Sequence, residues 1–204
     1  ETRIGPLVSS AAGAIQQLAS EIYGRRLEVN VVDTQEASVR TIPRYMLFIF
    51  KEVLKNAIKA TMEKHHRMKD LPPVQISIIS GSYDVQVKIS DRGGGMPQKV
   101  ADNMWRYGYS GFTTTHQSGS TDGLMGERAP TDFQLALSGY GVGMPLSRLY
   151  ARYLGGDIQV SQVRGYGTEV SIFLRRDGDG HSSELFGDDE IGDVDDFRGG
   201  SQPS

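Results

Sequence analysis

The helical stretch FKEVLKNAIKAT carries a carboxylate and an amide at a spacing that brings them together. Glu52 and Asn56 are four residues apart, so both side chains lie on one helix face, beside an apolar stripe that includes Val53 and Ala57. An amide oxygen can coordinate a hard cation such as Mg²⁺, and a carboxylate can accept a proton or orient a water molecule. The ordinary alternative is a solvated helix face, where Glu and Asn are most often found.

The stretch ISDRGGGMP ends an alternating, strand-like segment on a carboxylate, and three glycines follow almost at once. Asp91 can accept a hydrogen bond from an exocyclic amine, and the glycines from Gly93 to Gly95 would let a flat ring approach the backbone. The alternative is a plain turn, which glycines also favour. Taken alone, the stretch does not separate the two interpretations.

Two further glycine-rich stretches follow. In GYGVGMP, Gly139, Gly141 and Gly143 lead into a helix, where free backbone N–H groups and a helix N-terminus favour an anion such as phosphate. The spacing is neither G-x-G-x-x-G nor the lysine-bearing P-loop, so this stretch is a weak indication by itself. GYGT, which ends at Thr168, is by itself typical of a hairpin turn.

The helices and strands that position these residues can be predicted from the spacing of apolar residues and from glycines and prolines at their ends. Apolar residues at helical spacing predict helices over 10–23, 41–66 and 144–154. Alternation predicts strands over 27–32, 158–163 and 169–174, and a hairpin over 73–91 that turns at Gly81.

The chain divides into one domain and a tail. Residues 1–176 are predicted to form the domain, and residues 98–138, rich in Gly, Ser and Thr, have no sustained period. A loop of this length is functional or disordered, and we expect a lid at about 105–138. Residues 177–204 are acidic and glycine-rich with few large apolar residues, which predicts a disordered tail.

Composition excludes several classes of function. The 204 residues include no cysteine, so disulfides, thiolate metal sites and cysteine nucleophiles are excluded. A net charge of -3 without a basic stripe argues against nucleic acid as a partner. No apolar run is long enough to predict a membrane span. Because the chain starts at Glu1 without methionine, we expect a fragment or a processed form.

The order of these motifs is more specific than any one of them. E-x-x-x-N on a helix, D-x-G-x-G after a strand, a long loop, G-x-G-x-G and G-x-G-T follow one another within about residues 42–174. This order resembles the GHKL superfamily of ATPases and kinases. KNAIKAT, ISDRGGG, EIYGRRLEV and GYGVGMPLSRLYARYLGGDIQV are more closely similar to the mitochondrial kinases of 2-oxo-acid dehydrogenase complexes.

The resemblance implies an α/β fold: a two-layer sandwich in which helices cover one face of a mixed, largely antiparallel sheet, known as the Bergerat ATP-binding fold. It implies ATP or ADP with Mg²⁺ as cofactors, Glu52 as the general base that accepts the proton of a substrate serine, and Asn56 as the Mg²⁺ ligand. Asp91 would bind the adenine amino group, and Thr168 would support the ring through water. The implied nucleotide-binding set is Asn56, Lys59, Asp91, Gly93, Gly95, Met96, Gly139, Gly141, Val142, Gly143 and Thr168.

The chain departs from the family pattern at three places. Many pyruvate dehydrogenase kinases carry a histidine one turn before the glutamate, where this chain has Phe48. Lys59 replaces the usual arginine, so the charge is kept without the bidentate fork. The C-terminal Asp-Trp pair is missing, and the only tryptophan, Trp105, lies at the start of the expected lid. Tuning of the base and tail-mediated contact between subunits are therefore open.

The resemblance also implies partners and a location. These are the E1 component of the pyruvate dehydrogenase complex as substrate, a second copy in a homodimer formed through the sheet, a lipoyl domain docked through an N-terminal helical domain, and the mitochondrial matrix. The alternatives are a kinase of the branched-chain complex, another GHKL ATPase or histidine kinase, and a nucleotide-binding module without transfer activity.

Overall fold

The computed structural model describes residues 1–33, 35–109 and 141–176. Within these residues the helices are α1 (Ile4–Tyr23), α2 (Pro43–Lys64), α3 (Gln98–Asn103) and α4 (Gly143–Tyr153). The strands are β1 (Thr2–Arg3), β2 (Val29–Asp33), β3 (Ser38–Val39), β4 (Val74–Ser80), β5 (Asp84–Ser90), β6 (Asp157–Val163) and β7 (Gly167–Arg175).

The ends of the two long helices follow local chemistry. Pro43 occupies the first turn of α2, where its missing N–H costs no intrahelical hydrogen bond. Helix α1 ends at Gly24, whose left-handed φ of 64° lets its N–H bond the carbonyl of Ser20 at 2.9 Å. The predicted end of α1 at residue 23 is confirmed, and α2 begins two residues after the predicted residue 41.

The main sheet has five strands in the order β2-β4-β5-β7-β6. Strands β2 and β4 are parallel, because α2 provides the crossover between them. The other neighbouring pairs are antiparallel. Strands β1 and β3 form a separate two-stranded pair. The predicted mixed, largely antiparallel sheet is confirmed.

Alternation gives the sheet one buried face. Ile76 lies opposite Ile89, and Val87 pairs with Ile172 on its other side, so apolar side chains run across the central strands. Helices α1, α2 and α4 pack over this face and share one apolar core with it. This is the expected two-layer sandwich, and α2 lies in the middle of the helical layer.

The boundaries differ from the predictions in detail. Helix α1 starts six residues earlier than expected, because Pro6 is tolerated in a first turn. The segment predicted as loop from residue 98 opens with the short helix α3. The two-residue strands β1 and β3 were not predicted. The rest of the expected lid, residues 110–138, and the expected tail lie outside the described residues.

Candidate functional site

A cavity of about 250 Å³ lies between α2, the first turn of α4 and one end of the sheet. It is lined by nine of the residues predicted to bind nucleotide or to catalyse: Glu52, Asn56, Lys59, Asp91, Gly95, Met96, Gly141, Gly143 and Thr168. Gly93 and Val142 are described but do not line the cavity. Gly139 lies outside the described residues.

Asp91 is a buried side chain of the cavity that main-chain donors hold in place. It is only 7% exposed, and its Oδ1 accepts hydrogen bonds from the N–H of Gly93 at 2.7 Å and from that of Thr168 at 3.3 Å. Because both bonds use Oδ1, Oδ2 is left for a further donor. Burial raises the pKa of the Asp91 carboxyl above its usual value, against the lowering effect of the two N–H groups and of Lys64.

The backbone around Asp91 continues the sheet ladder. Strand β5 ends one residue earlier, and the Asp91 N–H donates to the carbonyl of Thr168 at 2.9 Å. A Cβ at Gly167 would overlap the carbonyl oxygen of Asp91, so only glycine permits this approach. Two strands therefore fix the position of the carboxylate through main-chain contacts.

The glycines after Asp91 serve packing as well as the cavity. A Cβ at Gly93 would overlap that of Ala60 on α2, so this glycine brings the loop against the helix. Gly94 and Gly95 have φ values of 89° and 73°, which L-residues with side chains rarely adopt. Only Gly95 faces the cavity, beside Met96.

The same loop is pinned to the turn between β6 and β7. Gly94 and Gly165 are joined by a 2.9 Å bond from the Gly165 N–H to the Gly94 carbonyl, and the Lys64 ammonium donates to the Gly165 carbonyl. The guanidinium of Arg92 lies 4.0 Å from the centre of the Tyr166 ring. These contacts tie helix α2, the loop and the hairpin together at this end of the cavity.

Glu52 lies at the other end, between α2 and α4. Its Oε1 forms an ion pair with Lys55 Nζ at 2.7 Å, and both side chains are largely buried. A Cβ at Gly143 would overlap Glu52 Oε2, so the carboxylate lies directly against the first residue of α4. The N-terminus of a helix favours negative charge, so this position suits a carboxylate or a phosphate.

Asn56 and Lys59 continue along the cavity from Glu52. Asn56 is exposed to the cavity, whereas Lys59 is only 7% exposed. Burial lowers the pKa of the Lys59 ammonium below its usual value. The negative charge of Glu63 raises this pKa, and the positive charge of Lys55 lowers it. Successive turns of α2 therefore place two lysines, Lys55 and Lys59, and two glutamates, Glu52 and Glu63, along this side of the cavity, with the Asn56 amide between them.

Gly141 lines the cavity next to Tyr109. Its φ is 70°, and a Cβ there would lie 2.7 Å from the backbone of Tyr109. The Gly108 N–H donates to its carbonyl at 3.0 Å. Val142 is the N-cap of α4 and accepts a bond from the Leu146 N–H, so it acts on the helix rather than on the cavity.

Phe48, one turn before Glu52, belongs to an aromatic cluster. Its ring meets that of Tyr150 edge to face at 5.4 Å, and Tyr150 stacks on Tyr45 at 4.4 Å. The position one turn before Glu52 therefore packs α2 against α4. Lys55, three residues after Glu52, is the described side chain that bonds its carboxylate.

Sequence reasoning missed one charged partner and one wall of the cavity. Lys55 was not among the predicted site residues, although its i, i+3 spacing from Glu52 could have predicted the ion pair. Val100, Met104 and Tyr109 line the cavity from a segment expected to be loop. No periodic pattern predicted the wall at Val100 and Met104, whereas Tyr109 lies at the start of the expected lid.

The described residues contain neither a cluster of metal-binding side chains nor a membrane-spanning helix. Across residues 1–33, 35–109 and 141–176, no three His, Asp or Glu side chains come together as a metal site. No helix in this part of the chain is long and apolar enough to cross a membrane. A metal ion in the cavity would thus need ligands beyond carboxylates and histidines, such as the Asn56 amide and phosphate oxygens.

Comparisons with known proteins agree with the geometry. The family model described as histidine kinase-, DNA gyrase B- and HSP90-like ATPase matches residues 42–178, from the start of α2 to beyond β7. That range contains every residue of the cavity.

Curated relatives carry a more specific name. A mitochondrial pyruvate dehydrogenase (acetyl-transferring) kinase of Ascaris suum is 37% identical over 154 residues, covering 74% of this chain and 35% of the relative. Isozyme 4 of Mus musculus is 32% identical over 83% of this chain and 40% of the relative. Isozyme 1 of Homo sapiens is 36% identical over 69% of this chain and 30% of the relative.

The chain spans about 30% to 40% of the length of these relatives. The shared part holds the cavity, with a buried aspartate at one end and a glutamate against a helix N-terminus at the other. The chain belongs to the histidine kinase-, DNA gyrase B- and HSP90-like ATPase family, the GHKL superfamily.

Proposed function

We propose that this chain is the ATP-binding catalytic domain of a protein serine kinase that phosphorylates the E1 component of the pyruvate dehydrogenase complex. The observation that carries the proposal is the cavity itself, with Asp91 at one end and Glu52 with Lys55 at the other. The names of the relatives support the choice of reaction and substrate.

The end of the cavity at Asp91 suits adenine. Oδ2 would accept a hydrogen bond from the exocyclic amine, while the N–H groups on Oδ1 hold the carboxylate in place. Thr168 lies beside it and would bind the same ring edge through water. Apolar contact would come from Met96 and Val170, since flat rings bind in largely apolar clefts with few polar groups.

The end of the cavity at α4 suits phosphates. Gly141 and Gly143 bring bare backbone close to the cavity, and α4 points its N-terminus at it. Gly139 is proposed to extend this cradle. Lys59 would add positive charge from α2, so developing negative charge on a transferred phosphoryl group would be stabilised.

Asn56 is the residue proposed to hold Mg²⁺, through its amide oxygen and together with phosphate oxygens and water. Its exposure to the cavity next to the phosphate end fits that role. When bound, the ion would neutralise phosphate charge and align the reacting oxygens.

Glu52 is proposed as the general base. It would accept the proton of a substrate serine hydroxyl while the hydroxyl oxygen attacks the γ-phosphorus and the bond to the β-phosphate bridging oxygen breaks. The Lys55 ammonium bonds Oε1 and the first residue of α4 contacts Oε2, so the carboxylate is held at the phosphate end.

The proposed location rests on the mitochondrial names of the relatives, and the proposed dimer and docking rest on the family resemblance. We propose the mitochondrial matrix as its location, a homodimer formed through the outer face of the sheet, and lipoyl-domain docking through a separate N-terminal helical domain. The outer sheet face carries exposed Ile79 beside polar residues. Sedimentation of the chain at increasing concentration tests the dimer directly.

Radiolabel transfer from γ-³²P-ATP with Mg²⁺ to purified E1 tests the proposed reaction. Phosphoserine on E1, lost in Glu52→Gln, is the expected result. Label on histidine would contradict a serine kinase, and ATP binding without transfer would favour a nucleotide-binding module. Equal labelling by Glu52→Gln would show that another group accepts the proton.

A further inference from the structure

One wall of the cavity is a segment with little packing of its own. Residues 98–109 contribute Val100, Met104 and Tyr109 to the lining. Helix α3, which forms the first half of the segment, buries none of its residues. Something outside α3 must therefore hold this wall in place.

Besides the close approach of Gly141 to Tyr109, two described contacts link this segment to the rest of the domain. One is the hydrogen bond from the Gly108 N–H to the Gly141 carbonyl at 3.0 Å. Other described hydrogen bonds made by residues 98–109 stay within the segment or reach only the adjacent Pro97. The second link is Trp105, the apolar side chain of this segment that packs against the main core.

Trp105 stacks on a guanidinium that is itself fixed. The Arg148 guanidinium lies 4.6 Å from the centre of the indole ring. Arg148 binds Asp157 with both arms, at 2.9 and 3.3 Å, and Arg152 binds the same carboxylate at 3.2 Å. Bidentate pairs of this kind hold the guanidinium plane in one orientation.

The charge on Asp157 supports this arrangement. Hydrogen bonds from Arg148, Arg152 and the Ile158 N–H, with the charge of Arg148, outweigh desolvation and lower the pKa of Asp157 to about 2. The carboxylate is therefore ionised throughout the neutral range, and Arg148 keeps its partner.

Arg148 also belongs to α4, which contributes another wall of the cavity. Helix α4 places Gly143 and Met144 in the cavity, one turn before Arg148. The contact between Trp105 and Arg148 thus joins two elements that line the cavity, the segment 98–109 and helix α4. An indole over a guanidinium contributes both contact area and attraction to the ring face.

We infer that Trp105 is a positioning residue for the nucleotide site, acting through Arg148 to hold the wall at 98–109 against α4. This rests on the proposed function, since the ligand concerned is the adenine nucleotide.

The test is titration of Mg²⁺-ADP into the 204-residue chain, with heat and tryptophan emission as readouts. Because Trp105 is the only tryptophan, its emission reports this contact alone. Trp105→Ala is expected to raise the ADP Kd about tenfold, equivalent to about 1.4 kcal/mol at 25 °C. Trp105→Phe keeps an aromatic face and should restore affinity to within about threefold of wild type.

Tyr107→Ala is the matched control in the same segment. Tyr107 is 62% exposed and does not line the cavity, so its removal should leave the ADP Kd unchanged. Arg148→Lys, which loses the bidentate pair, should weaken binding by itself. In that background Trp105→Ala should add less than about threefold, because coupled residues are not additive.

The outcomes separate this inference from the proposed function. If the wild-type chain does not bind Mg²⁺-ADP, the proposed function fails. If wild type binds and Trp105→Ala binds equally well, the positioning role alone is wrong. If Trp105→Ala fails to fold, the tryptophan emission of wild type and the ADP Kd of Trp105→Phe test the inference instead. The inference would be overturned if the tryptophan emission of wild type did not change at saturating ADP. It would also be overturned if Trp105→Phe bound ADP much more weakly than the Tyr107→Ala control.

Discussion

The two ends of the cavity are built in different ways. At the end proposed to bind adenine, Asp91 is held by main-chain N–H groups of Gly93 and Thr168 in continuation of the sheet ladder. At the end proposed to bind phosphates, Glu52 is held by a side-chain ion pair with Lys55 and by contact with α4. One end is fixed by backbone and the other by side chains on helices.

This difference separates recognition from chemistry. A carboxylate fixed by two strands can discriminate one ring edge, because it cannot shift to suit another. A carboxylate held by a side chain at a helix junction can adjust as substrate and product exchange. Substitutions at the adenine end should therefore affect folding and affinity, whereas those at the phosphate end should affect turnover.

The largest effect is expected at the phosphate end. Glu52→Gln keeps the side-chain volume but removes the proton acceptor, so kcat for serine phosphorylation should fall on the order of 10²- to 10⁴-fold. The ADP Kd should stay within about twofold of wild type, as measured by titration. Glu21→Gln, on the exposed surface of α1, serves as the control. A variant that loses ADP binding together with turnover would contradict the division between the two ends.

Next in size is the loss of stability expected at the adenine end. A Cβ at Gly93 would overlap Ala60, and neither backbone can easily move, so Gly93→Ala should cost about 2–3 kcal/mol in the free energy of unfolding. The matched control is Gly13→Ala in α1, where a new Cβ meets nothing within 4 Å. There a helix-favouring side chain should stabilise by about 0.5–1 kcal/mol. Urea unfolding measures both, and equal effects would refute the packing role of Gly93.

Gly143→Ala tests the same steric argument where a side chain can move. Its Cβ would meet only the end of the Glu52 side chain, which can rotate away. Stability should change by less than about 1 kcal/mol, while kcat should fall about tenfold, because the base is displaced. Loss of the fold in this variant would show that the phosphate end is as rigid as the adenine end.

The smallest expected effect concerns Asp157 and Asp91, whose contributions to the free energy of unfolding change in opposite directions with pH. The pKa of Asp157 is lowered to about 2, so its contribution to stability is present above about pH 4 and is lost between about pH 4 and pH 2. Solvent screening limits this to about 1 kcal/mol. The pKa of Asp91 is raised by burial, so its contribution is present at low pH and is lost as pH rises through the raised pKa.

Acid unfolding of Asp157→Asn and Asp91→Asn measures the two contributions. In Asp157→Asn, the free energy of unfolding should fall less between pH 4 and pH 2 than it does in wild type. In ligand-free Asp91→Asn, the free energy of unfolding should fall less than in wild type as pH rises through the raised pKa of Asp91. Identical slopes in both variants would contradict the assignment of burial as the dominant cause at Asp91.

The sequence was most informative where local chemistry decides the structure. Alternation located β4 and β5, and Gly24 and Pro43 marked helix ends, because these depend on neighbours along the chain. The E-x-x-x-N spacing placed Glu52 and Asn56 in one cavity for the same reason.

Contacts between distant segments were not predictable in the same way. Trp105 and Arg148 are 43 positions apart, and their stacking depends on how α4 packs beside β6. Gly93 was interpreted as making room for a flat ring, whereas its neighbour is Ala60 on α2. Both depend on the tertiary arrangement of the layers, which no local pattern specifies.

The most direct test of the account is the affinity of the chain for Mg²⁺-ADP and Mg²⁺-GDP, measured by calorimetry in wild type, Asp91→Ala and the surface control Asp70→Ala. Wild type and Asp70→Ala should bind ADP and reject GDP, whereas Asp91→Ala should lose about 10- to 100-fold in ADP affinity, as for a buried charged hydrogen bond. Equal ADP affinity in wild type and Asp91→Ala would contradict the claim that Asp91 recognises adenine.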